Sequence, residues 1–336
     1  MRQNGCSPVK KGNCVDEFER AIKKKRAKTT NRYRSQGIYL TIRNWQTLSL
    51  HNMSLFIASL NSGSNGNCYY VGNGQEAILV DAGISCRETE RRMSRLGLSM
   101  QTVKAIFVSH EHTDHISGIP VLAKKYQLPV YITEATHYHG NLSIQKEQVF
   151  AFKAYEPVQV GSLAIQAFPK KHDAAEPHSF IVNGNNVNIG VFTDIGSACD
   201  HVIMHFKHCH AAFLEANYDE EMLEKGSYPR HLKNRIRGGH GHLSNKQALE
   251  VFTKHKPAYM SHLFLSHLSR DNNSPQLVQQ LFNEHANGTE IIVASRFEET
   301  AVYRVQATQD AVPAGLPVKT EMQVKFRPSY TQLRLW

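Results

Sequence analysis

Short apolar runs and helical periods alternate along the chain from residue 54 to about residue 305. Apolar runs bounded by turn residues predict strands, and apolar residues spaced three and four apart predict amphipathic helices. The predicted strands are 54–58, 77–80, 103–108, 163–168, 263–266 and 291–294, with two more that lead to Asp194 and Glu215. The predicted helices are 85–96, 117–126 and one that begins at Ser274-Pro275. The segment Asn183-Gly184-Asn185 predicts a hairpin turn. Such alternation is typical of an α/β sandwich.

The positive charge of the chain is concentrated in its first 52 residues. The 336 residues carry a formal net charge of +10, and residues 1–52 hold 12 Lys and Arg but only 3 Asp and Glu. These residues have no sustained hydrophobic period, so we predict a basic, disordered extension. It is either a grip for DNA or the product of an upstream start, with Met53 as the true first residue, and we favour the second. We predict a catalytic domain over 53–305 and a polar tail over 306–336.

Cysteines and apolar runs bear on the compartment. Six cysteines are scattered without a C-x-x-C pair, and a chain of this size needs no disulfides to stabilise its core. No apolar run reaches the length of a membrane span, and the basic stretch near the N-terminus is not followed by the apolar region of a signal peptide. We therefore predict a cytoplasmic protein that does not enter membranes.

The segment Ser109–His115, with the sequence SHEHTDH, carries the strongest chemical signal. It joins a predicted strand to a predicted helix, so a loop presents several potential ligands between two rigid elements. Imidazole nitrogens and carboxylate oxygens are the ligands of Zn²⁺, Mn²⁺ and Fe²⁺. We predict a two-metal site in which His110 and His112 bind one ion while Asp114 and His115 bind the other.

This H-x-H-x-D-H pattern resembles the metallo-β-lactamase superfamily, and the resemblance extends over about residues 54–305. It implies an αββα sandwich of the α/β class with two divalent metal ions, Zn²⁺ or Mn²⁺. It also implies a third histidine for the first metal, a carboxylate that bridges both metals and a last histidine for the second metal. His172, Asp194 and His267 match these three positions. His262, five residues before His267, is the alternative for the last one.

Other segments narrow the resemblance. True β-lactamases usually lack a histidine directly after the aspartate, whereas phosphodiesterases and glyoxalase II-like enzymes keep it, so His115 argues against antibiotic hydrolysis. The further segments are 62–67 (SGSNGN), 80–84 (VDAGI), 214–219 (LEANYD), 241–245 (GHLSN) and 267–273 (HLSRDNN). Together they resemble the bacterial YycJ/WalJ group, which is associated with 5′→3′ DNA exonuclease activity.

Several residues are candidates for contacting the substrate or moving protons. Ser62, Ser64 and Asn67 belong to a Gly/Ser/Asn-rich loop, whose amides favour a phosphate. His242 resembles the histidine that supports general acid catalysis in ribonuclease Z-like phosphodiesterases, and His240 is the alternative. A basic stretch comes shortly before them, at Arg230, Lys233, Arg235 and Arg237. This stretch either grips a phosphate backbone, with Arg235 as the candidate substrate contact, or is a solvated helix face.

The remaining candidates support the metal site. Asp81 and Glu215 each end a predicted strand, and we predict that they orient metal-binding histidines. Asp114 and Asp194 are expected to fix the metals and to orient the nucleophile. Four histidines between residues 201 and 210 begin at helical spacing, and we predict a surface-facing helix end there rather than a metal cluster.

These residues predict a nuclease. A hydroxide between two metals is expected to attack a nucleic-acid phosphodiester, DNA rather than RNA, while His242 protonates the leaving oxygen. One alternative is a glyoxalase II-like thioesterase or lactonase, which would use the same nucleophile on a carbonyl carbon. Another is a non-catalytic nucleic-acid-binding module in which a metal ion has only a structural role. Structural sites are usually saturated by four ligands around one ion, so seven candidate ligands favour catalysis.

Overall fold

The computed structural model describes residues 54–307, which form two seven-stranded sheets and the helices that cover them. The strands are β1 (Ser54–Asn61), β2 (Cys68–Gly72), β3 (Ala77–Val80), β4 (Val103–Phe107), β5 (Val130–Tyr131), β6 (Val149–Phe150), β7 (Val158–Val160), β8 (Leu163–Pro169), β9 (His178–Gly184), β10 (Val187–Phe192), β11 (Ala211–Glu215), β12 (His262–Ser266), β13 (Glu290–Val293) and β14 (Tyr303–Gln306). The α-helices are α1 (Cys86–Arg95), α2 (Thr113–Ile116), α3 (Ile119–Tyr126), α4 (Glu134–Gly140), α5 (Asp200–Phe206), α6 (Glu220–Lys225), α7 (Arg230–Arg237), α8 (Asn245–His255) and α9 (Pro275–Asn283). Within this part of the chain, no helix has the length and apolar character that crossing a bilayer requires.

The predicted extension over residues 1–52 and nearly all of the predicted tail over 306–336 lie outside the described residues. At the C-terminal end, β14 pairs antiparallel with β1 and reaches Gln306. The last strand therefore ends one residue beyond the predicted domain boundary at 305.

Each sheet combines four neighbouring parallel strands with antiparallel strands at one side. The strand order is β14-β1-β2-β3-β4-β5-β6 in the first sheet and β13-β12-β11-β10-β9-β8-β7 in the second. In the first sheet β3 to β6 run parallel, and in the second β10 to β13 run parallel, while the other neighbours pair antiparallel. Parallel strands place their carboxyl ends at one edge of a sheet, which is where α/β folds bind ligands.

Alternation of side chains along the strands divides the core into layers. In β1, Leu55 and Ile57 belong to a buried cluster that contains residues of both sheets, whereas Ala58 and Leu60 belong to a cluster shared with α1, α2 and α3. A third cluster joins the second sheet to α5, α8 and α9. Successive side chains of a strand point to opposite faces, so strands covered on both sides are apolar at nearly every position. The predicted αββα sandwich is confirmed.

The helix predicted over 117–126 forms as α3 but begins two residues later, at Ile119, and a separate short helix, α2, ends at Ile116. Gly118 lies at the junction, where a Cβ atom would overlap the carbonyl oxygen of Ile84. The short helix α2 contains Asp114 and His115. The metal motif is therefore partly helical, and the prediction that it is entirely a loop was wrong.

The predicted hairpin forms between β9 and β10, but its turn lies later than expected. Asn185 and Asn186 are the two turn residues, and their φ angles of 55° and 60° are positive. Two consecutive residues with positive φ are the mark of a type I′ turn, which suits the twist of a two-residue hairpin. Gly184 is the last residue of β9 and pairs with Val187.

A surface-facing helix end was predicted for the histidines between residues 201 and 210, but two of the four are buried. His205 and His210 have no exposed surface. The ring of His205 stacks on Phe168 with centroids 3.9 Å apart, and Nδ1 of His210 accepts the backbone N–H of Asn188 at 3.1 Å. Desolvation lowers the pKa of both histidines to about 4, so they are neutral residues of the core.

Candidate metal centre and catalytic cavity

Strand ends at one edge of the sandwich supply the side chains of the site. Asp81 follows β3, residues 110–115 follow β4, His172 follows β8, Asp194 follows β10, Glu215 ends β11 and His267 follows β12. Asp81, Asp194 and His267 have φ angles of 59°, 54° and 56°. This left-handed conformation costs roughly 1–2 kcal/mol per non-glycine residue. It turns the chain sharply after the strand, and such strain clusters at functional sites.

Three histidines form the first group of candidate ligands. Nε2 of His110 lies 3.0 Å from Nδ1 of His112, and Nε2 of His172 lies 3.3 Å from the same atom. Burial lowers the pKa of His110 well below its usual value and that of His172 to about 4. Neutral imidazoles offer lone pairs, so the three nitrogens can hold one cation between them.

A second group lies beside the first. Nε2 of His115 lies 3.1 Å from Oδ2 of Asp194 and 3.6 Å from Oδ2 of Asp114. Nε2 of His267 lies 3.6 Å from the same oxygen of Asp114. The other oxygen of Asp194 lies 3.8 Å from Nε2 of His172. Asp194 therefore stands between the two groups, where a carboxylate that bridges two metals would stand.

Charges and unpaired atoms fit the binding of cations here. Burial alone would lower the pKa of His115, but Asp194, Asp81 and Asp114 raise it to about 10. Oδ2 of Asp194 and Nε2 of His267 are buried, and among the described residues each has an ion-pair contact but no hydrogen bond of good geometry. An unsatisfied buried polar group costs roughly 1–3 kcal/mol, and metal coordination would satisfy both atoms. The imidazole and carboxylate donors suit Zn²⁺ or Mn²⁺.

Asp81 and Ser109 orient two of the histidines. Nδ1 of His115 lies 2.7 Å from Oδ2 of Asp81. Ser109 donates its N–H and its O–H to the two oxygens of Asp81, at 2.8 and 2.7 Å, and its Oγ lies 2.9 Å from Nδ1 of His110. With their Nδ1 atoms occupied, both imidazoles present Nε2 to the centre. Sequence reasoning missed Ser109, although it stands directly before the metal motif.

Glu215, at the end of β11 in the second sheet, contacts two histidines as Asp81 contacts His115 from the first sheet. Its Oε1 lies 2.8 Å from Nδ1 of His242 and 2.9 Å from Nδ1 of His267, and its Oε2 accepts the N–H of Ile195 at 2.7 Å. Burial disfavours the charged form, but His242 and His267 lower the pKa of Glu215 to about 2. The carboxylate has no exposed surface. Glu215 therefore contacts the two histidines and presents no surface to the cavity.

The structure distinguishes the alternative histidines. His240 has an exposed side chain, whereas His242 lines the cavity and belongs to a candidate ligand group with Asp194, Glu215 and His267. His262 begins β12, at the end of the strand opposite to His267, and its Nδ1 lies 2.7 Å from Oγ of Ser261. His242 and His267 are the residues that reach the centre.

Comparison with known proteins agrees with this geometry. Residues 76–267 match the family model described as the beta-lactamase superfamily domain. The chain belongs to this superfamily. It is 38% identical over 245 residues to Exodeoxyribonuclease YycJ of Bacillus anthracis, covering 70% of this chain and 92% of that protein. It is 31% identical over 225 residues to Exodeoxyribonuclease WalJ of Streptococcus pneumoniae, covering 65% and 83%.

The fold has relatives among solved structures. The metallo-beta-lactamase fold protein YhfI from Bacillus subtilis aligns with a TM-score of 0.59 at 16% identity, over 75% of this chain and 99% of that one. This likeness agrees with the fold. The family model and the two exodeoxyribonuclease relatives confirm the predicted membership of the metallo-β-lactamase superfamily and the resemblance to the YycJ/WalJ group.

Two of the predicted substrate contacts of this superfamily member are buried. Ser62 is 1% exposed and its Oγ accepts the N–H of His267 at 2.7 Å. Asn67 has no exposed surface, and its backbone N–H donates to the carbonyl of Asp114 at 2.7 Å. Gly83 allows this approach, because a Cβ there would overlap the same carbonyl. Both residues support candidate metal ligands and offer almost no surface to a substrate.

The other two predicted contacts are exposed at an open cavity of about 390 Å³. Ser64 and Arg235 line it, and Nε of Arg235 donates to Oδ2 of Asp173 at 2.6 Å. Asp173 and Asn217 also line the cavity, and sequence reasoning missed both. Asp173 directly follows His172, so the His-Asp pair was the available signal.

Proposed function

We propose that this protein is a metal-dependent exodeoxyribonuclease that removes nucleotides from the 5′ end of DNA. The observation that carries the proposal is the hydrogen bond between Glu215 and His242 beside the candidate metal ligands, because it supplies a positioned proton donor to a site that needs one for a poor leaving group. The names of the two relatives, both exodeoxyribonucleases, support DNA as the substrate. The 5′→3′ polarity rests on the resemblance to the YycJ/WalJ group.

Seven side chains would hold two divalent cations, Zn²⁺ or Mn²⁺. They are His110, His112 and His172 for the first ion, Asp114, His115 and His267 for the second, and Asp194 between them. Such cations supply Lewis acidity towards phosphate oxygens and generate a nucleophile from water near neutral pH. The chain contributes rigid positions, since Asp81 and Glu215 hold the ligand imidazoles from behind.

His242 is placed to donate a proton to the leaving oxygen. Its Nδ1 is engaged by Glu215 at 2.8 Å, so its Nε2 remains for the substrate. The side chain is 22% exposed and lines the cavity. A positioned general acid typically contributes 10²–10⁴-fold to the rate. Arg235 would exchange the carboxylate of Asp173 for a phosphate oxygen, and Ser64 would offer a hydroxyl at the same rim.

The proposal is tested with metal-defined protein, Zn²⁺ or Mn²⁺, and DNA or RNA labelled at either end, single- or double-stranded, alongside a thioester. We expect mononucleotides to be released first from the 5′ end of DNA, and we expect Asp194→Ala to release none. Hydrolysis of the thioester with intact DNA would instead favour a glyoxalase II-like enzyme. Binding of DNA without any cleavage would favour a non-catalytic module, and either result would overturn the proposal.

A further inference from the structure

Helix α7 is the one α-helix among the described residues that buries none of its side chains. Its two apolar residues, Leu232 and Ile236, are four positions apart and so lie on one side of the helix. An amphipathic surface helix normally packs such a side on the core. Here both residues are half-buried and line the cavity that contains the candidate metal ligands.

Tyr228 extends this apolar surface. It lies just before α7, is half-buried and lines the same cavity. Its hydroxyl donates to Oδ2 of Asp271 at 2.9 Å, which fixes the ring in place. Tyr228, Leu232 and Ile236 together form what we call the apolar wall. None of the three belongs to the hydrophobic clusters of the core, so the folding of the domain does not explain them.

The apolar wall is connected to the proposed proton donor, His242, and to the segment that carries His172 and Asp173. The backbone N–H of His242 donates to the carbonyl of Ile236 at 2.9 Å, and a Cβ at Gly241 would overlap that carbonyl. Arg235, on the same helix, pairs with Asp173 at 2.6 Å. These contacts hold the wall at a defined place beside His242.

Two of the four Lys and Arg residues of α7 pair with carboxylates of the protein. Arg235 pairs with Asp173, and Arg237 pairs with Glu224 at 2.9 Å. Attraction of the helix to the phosphate backbone is therefore weaker than the basic sequence suggests. Binding of the substrate then needs a second source of binding free energy. An apolar wall with an aromatic ring offers one, because the faces of nucleobases stack on aromatic side chains whatever their sequence.

We propose that the apolar wall binds the nucleobase next to the scissile phosphate, with the base stacked on Tyr228 and packed against Leu232 and Ile236. This inference rests on the proposed DNA substrate and names the part of it that the wall contacts. The metal ligands then face the phosphate while the wall holds the base. A wall without polar groups directed at base edges makes no distinction among the four bases, which suits an exonuclease that removes successive nucleotides.

An abasic substitution tests the proposal without changing the protein. A tetrahydrofuran residue replaces each of the first three nucleotides of a 5′-labelled DNA in turn, and cleavage is followed with the metal-loaded full chain. We expect kcat/KM to fall roughly 10- to 100-fold at one of these positions, mainly through KM, as is usual for loss of one stacked base. Equal cleavage of all these substrates would overturn the proposal.

Variants of the apolar wall test whether its residues cause the fall in kcat/KM that the abasic substitution produces. Tyr228→Ala and Leu232→Ala should lower kcat/KM on normal DNA but cause little further loss on the sensitive abasic DNA. Tyr228→Phe keeps the ring and loses only the hydrogen bond to Asp271, so it should retain most of the activity. The matched controls are Tyr138→Ala, a residue 79% exposed on α4, and Leu277→Ala, a residue 38% exposed on α9. Both controls should behave as the unaltered protein.

The outcomes separate the two proposals. Equal losses for Tyr228→Ala on normal and abasic DNA would show that the ring acts on the protein structure, and the base-binding role would be wrong while the nuclease stands. Failure of the unaltered, metal-loaded protein to cleave any DNA would overturn the proposed function and this inference with it.

Discussion

His242 and His267 stand in similar His-Leu-Ser sequences and share one oxygen of Glu215, yet we expect their removal to have different effects. His267 is 3% exposed, and its Nε2 lies 3.6 Å from Asp114, among the candidate ligands of the second metal. His267→Ala should therefore lower the occupancy of one metal together with the rate. His242 is not among the seven proposed ligands, and its side chain is 22% exposed at the cavity, so His242→Ala should keep both metals and lose the proton donor.

The size of the His242 effect follows from its role. Loss of a positioned general acid lowers kcat by roughly 10²–10⁴, which is about 2.7–5.5 kcal/mol of activation free energy. In His242→Ala, Glu215 retains its contact of 2.9 Å with His267, so that imidazole stays oriented. His240→Ala is the matched control, because this histidine is exposed two residues earlier. It should change neither metal content nor rate.

The assay combines elemental analysis with two substrates. Metal per protein is measured for each variant, and kcat is measured on DNA and on a bis(nitrophenyl) phosphodiester, whose leaving group needs no proton. His242→Ala should be impaired on DNA and largely spared on the activated ester. Loss of a metal in His242→Ala with full occupancy in His267→Ala would show that the two roles are exchanged. Unchanged DNA cleavage by His242→Ala would refute the proposed proton transfer.

Three further predictions follow from the site, from α1 and from the charge pattern. His112→Ala and Asp194→Ala should each lose metal and abolish hydrolysis, and full occupancy of two ions by elemental analysis in either variant would contradict the ligand assignment. Glu88→Gln should destabilise the protein at pH 7, because hydrogen bonds from Arg91 and Arg92 hold the pKa of Glu88 at about 2 and stabilise the folded state. The difference should shrink as pH falls from about 4.5 towards 2, since protonation of Glu88 removes its stabilising contribution. Chemical unfolding of both proteins across this pH range measures the difference. Deletion of residues 1–52 should leave fold and metal content intact, and an unchanged salt dependence of DNA binding would exclude that segment as a grip.

Much of the candidate metal centre could be predicted from the sequence, because its residues lie close together in the chain. Four candidate ligands lie within residues 110–115, so the geometry of one short segment is enough to bring them together. Asp194 and His267 each follow an apolar strand, and carboxyl ends of parallel strands meet at one edge. The alternation of apolar residues similarly predicted two-sided strands and hence a layered α/β fold.

Helix spacing alone did not show which side of a helix would be buried. The period at His201 and His205 correctly indicated a helix, but it did not show that the face with His205 packs on Phe168. The Gly/Ser/Asn-rich loop likewise looked open to phosphate. In the folded chain, Ser62 and Asn67 hydrogen-bond to the segments that carry His267 and Asp114, which closes them off.

What the sequence determined by itself is therefore the set of candidate ligands, the strands that carry them and the layered fold, because these depend on residues close together in the chain. Only the tertiary structure decided how distant segments meet. Glu215 reaches His267 because β11 lies beside β12. It reaches His242 because the segment after α7 comes to the end of β11, where the N–H of Leu243 also donates to Oε2 of Glu215. In the same way, Leu232 and Ile236 have the spacing of core residues, and only the position of α7 beside the cavity shows that no core lies beneath them.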